Sequence, residues 1–444
     1  MSEYSDYTVG FITLGCKVNQ YESEAIAERF AAEGFRVSPE DGVCDIYVIN
    51  TCTVTAESDR KARQMIRRAI QHNPDAYILV TGCMSQTSPR QAAEIAGVDY
   101  VCGNSDKQAV VEAAKRLIAQ GQKNPTAQIE HASPDAGGFE PMRITHFDRT
   151  RAYIKIEDGC ENHCTYCIIP AARGRVRSKH PEDVVEEVRA LVAGGCREVV
   201  LTGIETASYG RDLDGCDLAD LLCRVDAIPG IGRVRLSSLD PSLMKQTFVD
   251  RIEGLSSLAP HFHLSMQSGS DSVLARMRRK YNSRMALEGM ERLRAAIPSV
   301  QFTTDMIVGF PGENEPEFGE TLSFVEKARF LMIHVFRYSR RVGTVADTMP
   351  EQVPETVKAE RARILSERQA TIRKAILSGM KNRTAEVLFE SAENGFVYGH
   401  TPDFVEVAVS AAPDLHGKIL PVRLGENDGT VCFGTLIGDG SINV

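Results

Sequence analysis

Short apolar runs alternate with amphipathic stripes along most of this chain, and that alternation restricts the fold more than any other feature. Runs at 9–13, 46–50 and 77–81 have strand length and strand composition. Between the second and third, Ala62, Met65, Ile66, Ala69 and Ile70 recur at i, i+3, i+4, i+7 and i+8, one face of a helix. Helices between successive strands are the crossovers that parallel pairing needs. The expectation for residues 1–118 is therefore an open parallel sheet covered by helices. From 119 to 146 the periodicity fades into Asn124-Pro125, Ser133-Pro134 and Gly137-Gly138, which reads as a linker.

A second series occupies 147–353. Strands are expected at 153–157, 198–202, 233–237, 262–266, 302–308 and 333–338. Stripes such as Val184, Val185, Val188, Leu191 and Val192, stopped by Gly194-Gly195, lie between them. Six such units suggest a partial (βα)6 barrel; a complete eight-unit barrel is the competing reading. Residues 354–383 read as one long basic helix. After 384 the texture becomes short strands at 385–389, 396–398, 405–409, 419–424 and 431–436. Turns such as Asn394-Gly395, His416-Gly417 and Asp428-Gly429 separate several of them, as in a small OB-like β-barrel. The fold class is thus α/β with a C-terminal all-β domain.

No apolar run is long enough to cross a membrane as a helix. Met1–Asp6 lacks the basic and apolar pattern of an export signal, so the cytoplasm is the expected location and no membrane partner is implied. Twelve cysteines in such a chain point to metal or catalytic chemistry rather than to a disulfide framework. The net charge of −9 at first argues against nucleic acid. Its distribution reverses that argument. Residues 384–444 hold nine acidic and two basic residues, while 355–383 hold three acidic and eight basic. An electrostatic grip on phosphate is therefore unexpected only for the C-terminal barrel.

Cys160, Cys164 and Cys167 form C-x3-C-x2-C after a buried strand. Three thiolates this close can face one metal centre. Tetrahedral zinc would need a fourth ligand, such as His163 or a distant cysteine. An iron–sulfur cube held by three cysteines would leave one iron open to a ligand. Cys16, Cys52 and Cys83 are far apart in sequence but each follows the C-terminal end of an expected strand. In an open parallel sheet those ends converge on the ligand crevice, so these three can meet. Cys44, Cys196, Cys216, Cys223 and Cys432 fit ordinary small core or surface residues. Cys102, after an apolar run, could be a spare ligand.

The segment Asp158-Gly159-Cys160-Glu161-Asn162-His163-Cys164-Thr165-Tyr166-Cys167-Ile168-Ile169-Pro170, with Arg173-Gly174 and Arg177-Ser178, resembles the radical S-adenosylmethionine core of the methylthiotransferases. Thr13-Leu14-Gly15-Cys16-Lys17-Val18-Asn19-Gln20, Asn50-Thr51-Cys52-Thr53-Val54 and Thr81-Gly82-Cys83 are similar to the cluster motifs of that family's N-terminal domain. Gln267-Ser268-Gly269-Ser270, the segment from Asp305 to Glu313, and His334-Val335-Phe336-Arg337-Tyr338-Ser339 also fit. Lys17 and the residues after it resemble the branch that modifies threonylcarbamoyladenosine beside the tRNA anticodon.

The resemblance implies two [4Fe–4S] clusters. One, on Cys160, Cys164 and Cys167, would bind S-adenosylmethionine at its open iron and cleave it to a 5′-deoxyadenosyl radical. The other, on Cys16, Cys52 and Cys83, would carry or deliver sulfur. A second S-adenosylmethionine would donate the methyl group, giving a methylthio group on carbon 2 of the adenine. A radical suits this bond because the aromatic C–H is not acidic, and the cofactor carries the hard step. The implied partners are the tRNA anticodon stem-loop, an electron donor and a sulfur source. Residues 384–444 would correspond to the family's RNA-binding TRAM domain. Gly203, Glu205, Ser237, Gln267 and Tyr166 lie at or near strand ends or between cluster cysteines and are candidate S-adenosylmethionine contacts.

Arg173, Arg175, Arg177 and Lys179 recur at period two and, in an extended segment, would form a phosphate rail. Arg276, Arg278, Arg279, Lys280 and Arg284 form a second basic cluster. Two other functions fit parts of the pattern: radical chemistry on a ribosomal-protein side chain, and a metal-stapled RNA-binding protein without catalysis.

Overall fold

The computed structural model describes residues 3–38, 42–147, 149–410 and 414–437, so the chain end expected in the C-terminal barrel, 438–444, lies outside the described residues. The N-terminal unit runs β1 (Thr8–Thr13), α1 (Lys17–Ala32), β2 (Arg36–Ser38), β3 (Ile46–Thr51), α2 (Ala56–His72), β4 (Tyr77–Gly82), α3 (Cys83–Thr87), α4 (Pro89–Ala93), β5 (Tyr100–Cys102), α5 (Ala109–Gln120) and β6 (Gln128–Glu130). Its strands form one parallel sheet in the order β2-β1-β3-β4-β5-β6. β3 is buried on both faces, which is why its sequence reads as a continuous apolar run rather than an alternation. α2 starts where Thr55 Oγ1 accepts the Ser58 amide at 3.0 Å, an N-cap that ends the β3 crossover loop.

The stretch read as a linker is not free chain throughout. β6 pairs with β5, and Met142 and Ile144 are buried in the same core as α1 and the next domain. Local periodicity could not reveal this, because the segment gains its order from tertiary contact alone.

The core follows as β7 (Ala152–Lys155), β8 (Glu157–Asp158), α6 (Ile169–Arg173), β9 (Arg177–Ser178), α7 (Pro181–Ala193), β10 (Glu198–Thr202), α8 (Leu218–Asp226), β11 (Arg233–Leu236), β12 (Ser238–Leu239), α9 (Gln246–Ile252), β13 (His261–Gln267), α10 (Asp271–Arg276), α11 (Ser283–Ala296), β14 (Gln301–Val308), α12 (Glu315–Ala328) and β15 (Met332–Arg337). β7, β10 and β11 pair in parallel, and so do β12, β13, β14 and β15. β11 and β12 are one run of chain interrupted at Ser237, so the two sheets continue each other. The result is a six-unit partial barrel, not the eight-unit alternative. The side left open by the missing units is where α1 packs on β7, and the two domains share one apolar core.

α13 (Glu355–Ser378) then crosses the molecule, burying Leu365 in the core and Leu377 among the apolar residues of the last domain. That domain comprises β16 (Thr384–Glu393), β17 (Phe396–His400), β18 (Glu406–Val409), β19 (Ile419–Asn427) and β20 (Cys432–Leu436), closed as a five-stranded barrel. It docks at the N-terminal ends of the core strands. Arg233 donates to the Glu386 and His400 carbonyls at 2.9 and 3.2 Å, Arg235 donates to the Pro402 carbonyl at 3.1 Å, and His261 stacks on Phe404 at 4.4 Å. Arg151 forks onto Glu390. Behind this seam Glu198 is fully buried and accepts from Arg151 at 2.6 Å and from Arg235 at 2.8 Å.

Burial alone would raise the Glu198 carboxyl, but Arg235, Arg151 and Arg233 overcome it and hold it at about 2. A carboxylate depressed on folding contributes stability above its unfolded pKa of about 4.3, and loses it as pH falls from there through the folded value. Glu198→Gln is therefore expected to lower stability at pH 7 by about 3 kcal/mol, with the deficit shrinking between pH 4 and pH 2. Denaturant titrations at several pH values check this; a deficit independent of pH would show that the charge is not the source.

Candidate active site

β1, β3 and β4 are adjacent and in register, with Thr13 opposite Asn50 and Thr51 opposite Gly82. The loops that leave their C-terminal ends are therefore neighbours. Cys16 stands at the N-cap of α1, Cys52 one residue past β3, and Cys83 at the first residue of α3. Gly15, at φ +104°, lets the first loop cross the second. A Cβ there would lie 2.8 Å from Cys52 Cβ and 3.0 Å from its Sγ. Each of the three thiols is within electrostatic reach of the other two. Cys83 Sγ accepts hydrogen bonds from Arg173 Nε at 3.3 Å and Asn104 Nδ2 at 3.6 Å. Burial pushes the Cys52 thiol up to about 11.

Cys160, Cys164 and Cys167 sit between β8 and α6, at the opposite end of the core from the docked C-terminal barrel. The loop is fastened by the Cys160 amide on the Gly174 carbonyl at 3.0 Å and the Cys167 amide on the Cys164 carbonyl at 3.0 Å. Gly159 is obligatory, since a Cβ at its φ of +88° would come within 1.9 Å of the Arg175 carbonyl oxygen. Cys164 Sγ accepts from Arg279 at 3.1 Å, and Arg279 is itself held by Asp240 at 2.8 Å and Tyr281 at 3.0 Å. Burial pushes the Cys160 and Cys167 thiols up to about 12.

Each triad thus offers three soft donors and one guanidinium on a donor sulfur. That set fits an iron–sulfur cluster, whose thiolates carry negative charge that a fixed cation offsets. Among the described residues no three His, Cys, Asp or Glu side chains close on a site of single-ion size. Cys102 is buried at the end of β5, where Thr81 and Lys107 are among the groups that act on its thiol.

Three of the five candidate cofactor residues line two cavities. Tyr166 and Gln267 line one of about 200 Å³ with Asp305, Ile307, Phe336 and, from the N-terminal domain, Val54 and Thr55. This cavity lies between the loop that follows Cys52 and the loop that carries Cys164 and Cys167. Gln267 holds φ +64°, a strained conformation for a non-glycine. Glu205 lines a second cavity of about 250 Å³ with Asn162, Asp240 and Lys280, and accepts from Asn162 at 3.1 Å. Burial, then the charge of Asp240, raises its carboxyl to about 7. Glu205 Oε1 and Ser237 Oγ are buried without a hydrogen-bond partner among the described residues, which suits groups reserved for a ligand. Gly203 packs against Glu157, where a Cβ would meet Oε2 at 2.6 Å.

The proposed arginine rail is overturned. Arg173 is fully buried, Arg177 and Lys179 are buried, and of the four only Arg175 is exposed. The segment is not one extended strand: Arg173 ends α6, and β9 is two residues long. Its inward side chains meet buried acids instead of solvent. Arg173 contacts Glu22 at 2.6 Å, Asn19 at 2.6 Å and Asp158 at 3.2 Å, while Lys179 pairs with Glu187. Lys155 joins Glu22 at 2.7 Å and Asp158 at 2.6 Å, and Lys107 pairs with Glu22. Burial would raise Glu22, but Arg173, Lys107 and Lys155 hold it well below the usual carboxylate range. Of the second basic cluster, Arg276 forks onto Glu317 at 2.8 Å and Arg279 serves Cys164, while Arg278, Lys280 and Arg284 are exposed. A charged side chain beside a cysteine motif was visible in the sequence for Arg173; that it turns inward was not.

The family model described as the Radical SAM superfamily matches residues 154–325, and that described as Uncharacterized protein family UPF0004 matches residues 8–103. A threonylcarbamoyladenosine tRNA methylthiotransferase MtaB from Bacillus subtilis (strain 168) is 42% identical over 426 residues, 94% of this chain and 93% of that one. The protein of the same description from Thermotoga maritima is 41% identical over 384 residues, 85% of this chain and 86% of that one. A tRNA-2-methylthio-N(6)-dimethylallyladenosine synthase from Carboxydothermus hydrogenoformans is 34% identical over 436 residues, covering 96% and 98%. In fold alone, the chain resembles the radical S-adenosylmethionine methyltransferase TsrM from Kitasatospora setae. The TM-score is 0.57 at 14% identity, over 88% of this chain and 79% of that one. None of the helices in the described residues is long and apolar enough to cross a membrane.

Proposed function

The chain belongs to the radical S-adenosylmethionine tRNA methylthiotransferase family, and from that premise we propose that it methylthiolates carbon 2 of N6-threonylcarbamoyladenosine beside the tRNA anticodon. Radical SAM membership implies S-adenosylmethionine and a [4Fe–4S] cluster. The observation that supports the reading is one cavity lined by Val54 and Thr55, just past Cys52, and by Tyr166, between Cys164 and Cys167. Cys160, Cys164 and Cys167 would hold the S-adenosylmethionine cluster on one side, and Cys16, Cys52 and Cys83 a second cluster on the other. Identity of 41–42% to enzymes described as acting on threonylcarbamoyladenosine, against 34% to one described by dimethylallyladenosine, supports the choice of substrate.

Bound S-adenosylmethionine supplies the radical that removes the unreactive aromatic hydrogen, and a second equivalent supplies the methyl group. The protein's own residues position and shield. Glu205 and Ser237 present buried polar atoms without partners among the described residues, and Gly203 keeps the backbone tight against Glu157. Tyr166 and Gln267 face the cavity where the base would be presented. Arg279 and Arg173 fix donor sulfurs of the two triads. An external electron donor and a sulfur source complete the reaction.

The test uses the anaerobically reconstituted protein with dithionite, sulfide and S-adenosylmethionine. It is given anticodon stem-loops bearing either N6-threonylcarbamoyladenosine or N6-dimethylallyladenosine, and digested nucleosides are read by mass spectrometry. The expected product is the 2-methylthio derivative of the first alone. Methylthiolation of only the second would assign the chain to the other branch.

A further inference from the structure

α2 carries Arg60, Lys61, Arg63, Arg67 and Arg68, and no Asp or Glu lies between Arg60 and His72. Ala62, Ile66 and Ala69 are its buried stripe, so the basic residues occupy the flanks and the outer face. The two acids of its first turn are already engaged: Glu57 pairs with Arg60, and Asp59 pairs with Arg341 of the core. Among the described residues no carboxylate lies within ion-pair distance of Lys61, Arg63, Arg67 or Arg68. Like charges at i and i+4, such as Arg63 and Arg67, repel each other in the free protein. A helix whose basic row has no ion-paired acid among the described residues beyond that of Arg60 presents a face that an anion from outside can bind.

The helix also starts at the site. Thr55, its N-cap, lines the cavity shared with Tyr166 and Gln267. Arg67 lies twelve residues further on, about 18 Å along the axis. The acidic C-terminal barrel is docked at the other end of the core, on Arg233, Arg235 and His261. Resting on the proposed tRNA substrate, we infer that the outer face of α2 is the phosphate-binding surface that holds the anticodon stem while the modified base enters the cavity. The chemistry fits a polyanion of regular charge spacing: exposed guanidinium groups on one face bind phosphates and set register without reading sequence. The surface is separate from both cysteine triads, so its removal should weaken capture and spare chemistry.

The test compares the reconstituted wild-type protein with a triple variant, Arg63→Gln, Arg67→Gln and Arg68→Gln. A control carries Lys381→Gln and Lys418→Gln at the C-terminal barrel. Binding of a fluorescent anticodon stem-loop bearing N6-threonylcarbamoyladenosine is titrated across a KCl series, and turnover is measured at saturating RNA. The expected result for the α2 variant is at least about tenfold weaker binding at low salt. Its log–log salt slope should be shallower by about 0.7–0.9 for each phosphate that is no longer neutralised, with kcat unchanged and KM raised. The control should bind like wild type. Wild-type affinity and slope in the α2 variant, or a larger drop in affinity for the control, would overturn the inference. Failure of the wild-type protein to bind the stem-loop at all would instead sink the tRNA reading on which it rests.

Discussion

Alanine at Cys160 is expected to leave no detectable methylthiolation and to halve the iron of the reconstituted protein, from about eight to about four per chain. The Cys160 thiol interacts with the Asn162 backbone, and its loop is fastened through the Cys160 and Cys167 amides, which the substitution keeps. Folding should therefore be spared. Cys83→Ala should halve the iron equally but separate the two halves of the chemistry. S-Adenosylmethionine would still be cleaved, measured as 5′-deoxyadenosine, while the methylthio product disappears. Cys102→Ala, at a buried thiol outside both triads, should keep all the iron. Full iron in Cys160→Ala, or failure to cleave S-adenosylmethionine in Cys83→Ala, would show that the triads are not two independent cluster sites.

Arg173→Met is expected to destabilise the protein by about 3 kcal/mol, a large effect for one side chain. The guanidinium is fully buried between the domains and bridges Asn19, Glu22, Asp158 and Cys83. Removing it leaves Asp158 and Glu22 short of one cation in a dry interface, with Lys155 and Lys107 as the remaining balance. Arg173→Lys should recover only part of the deficit, because an ammonium cannot fork onto four partners at once. Arg175→Met, two residues away and exposed, should change stability by no more than about 0.5 kcal/mol. Denaturant midpoints decide the matter. A wild-type midpoint for Arg173→Met combined with weaker RNA binding would restore the phosphate-rail reading that the structure overturns.

The contrast between Arg173 and Arg67 shows where sequence reasoning reaches its limit. Both sit in basic stretches. The period of two around Arg173 suggests an outward rail, yet the burial of Glu22 and Asp158 behind it makes the inward direction the favourable one. Charge near a buried counter-charge turns inward, and only the partner's position, more than a hundred residues away in the case of Glu22, decides it. The stretch 119–146 misleads for the same reason. Neither β6 nor the burial of Met142 and Ile144 has a local signature; both depend on a sheet edge and a domain face formed elsewhere.

The sequence by itself determined most of the order of strands and helices, the six core units, the five-stranded last domain and the position of Cys16, Cys52 and Cys83 just past neighbouring strand ends. Those properties are written in local periodicity and in the rule that parallel strands deliver their following loops to one edge. Tertiary structure alone decided three things. It brought the loop after Cys52 and the loop of Cys164 and Cys167 to one cavity, with α1 packed on β7. It buried the Arg173 network between the domains. It also docked the acidic barrel at the N-terminal ends of the core strands and started the basic helix α2 at the cavity, since charge is a composition in sequence but becomes a direction only when the helix is packed.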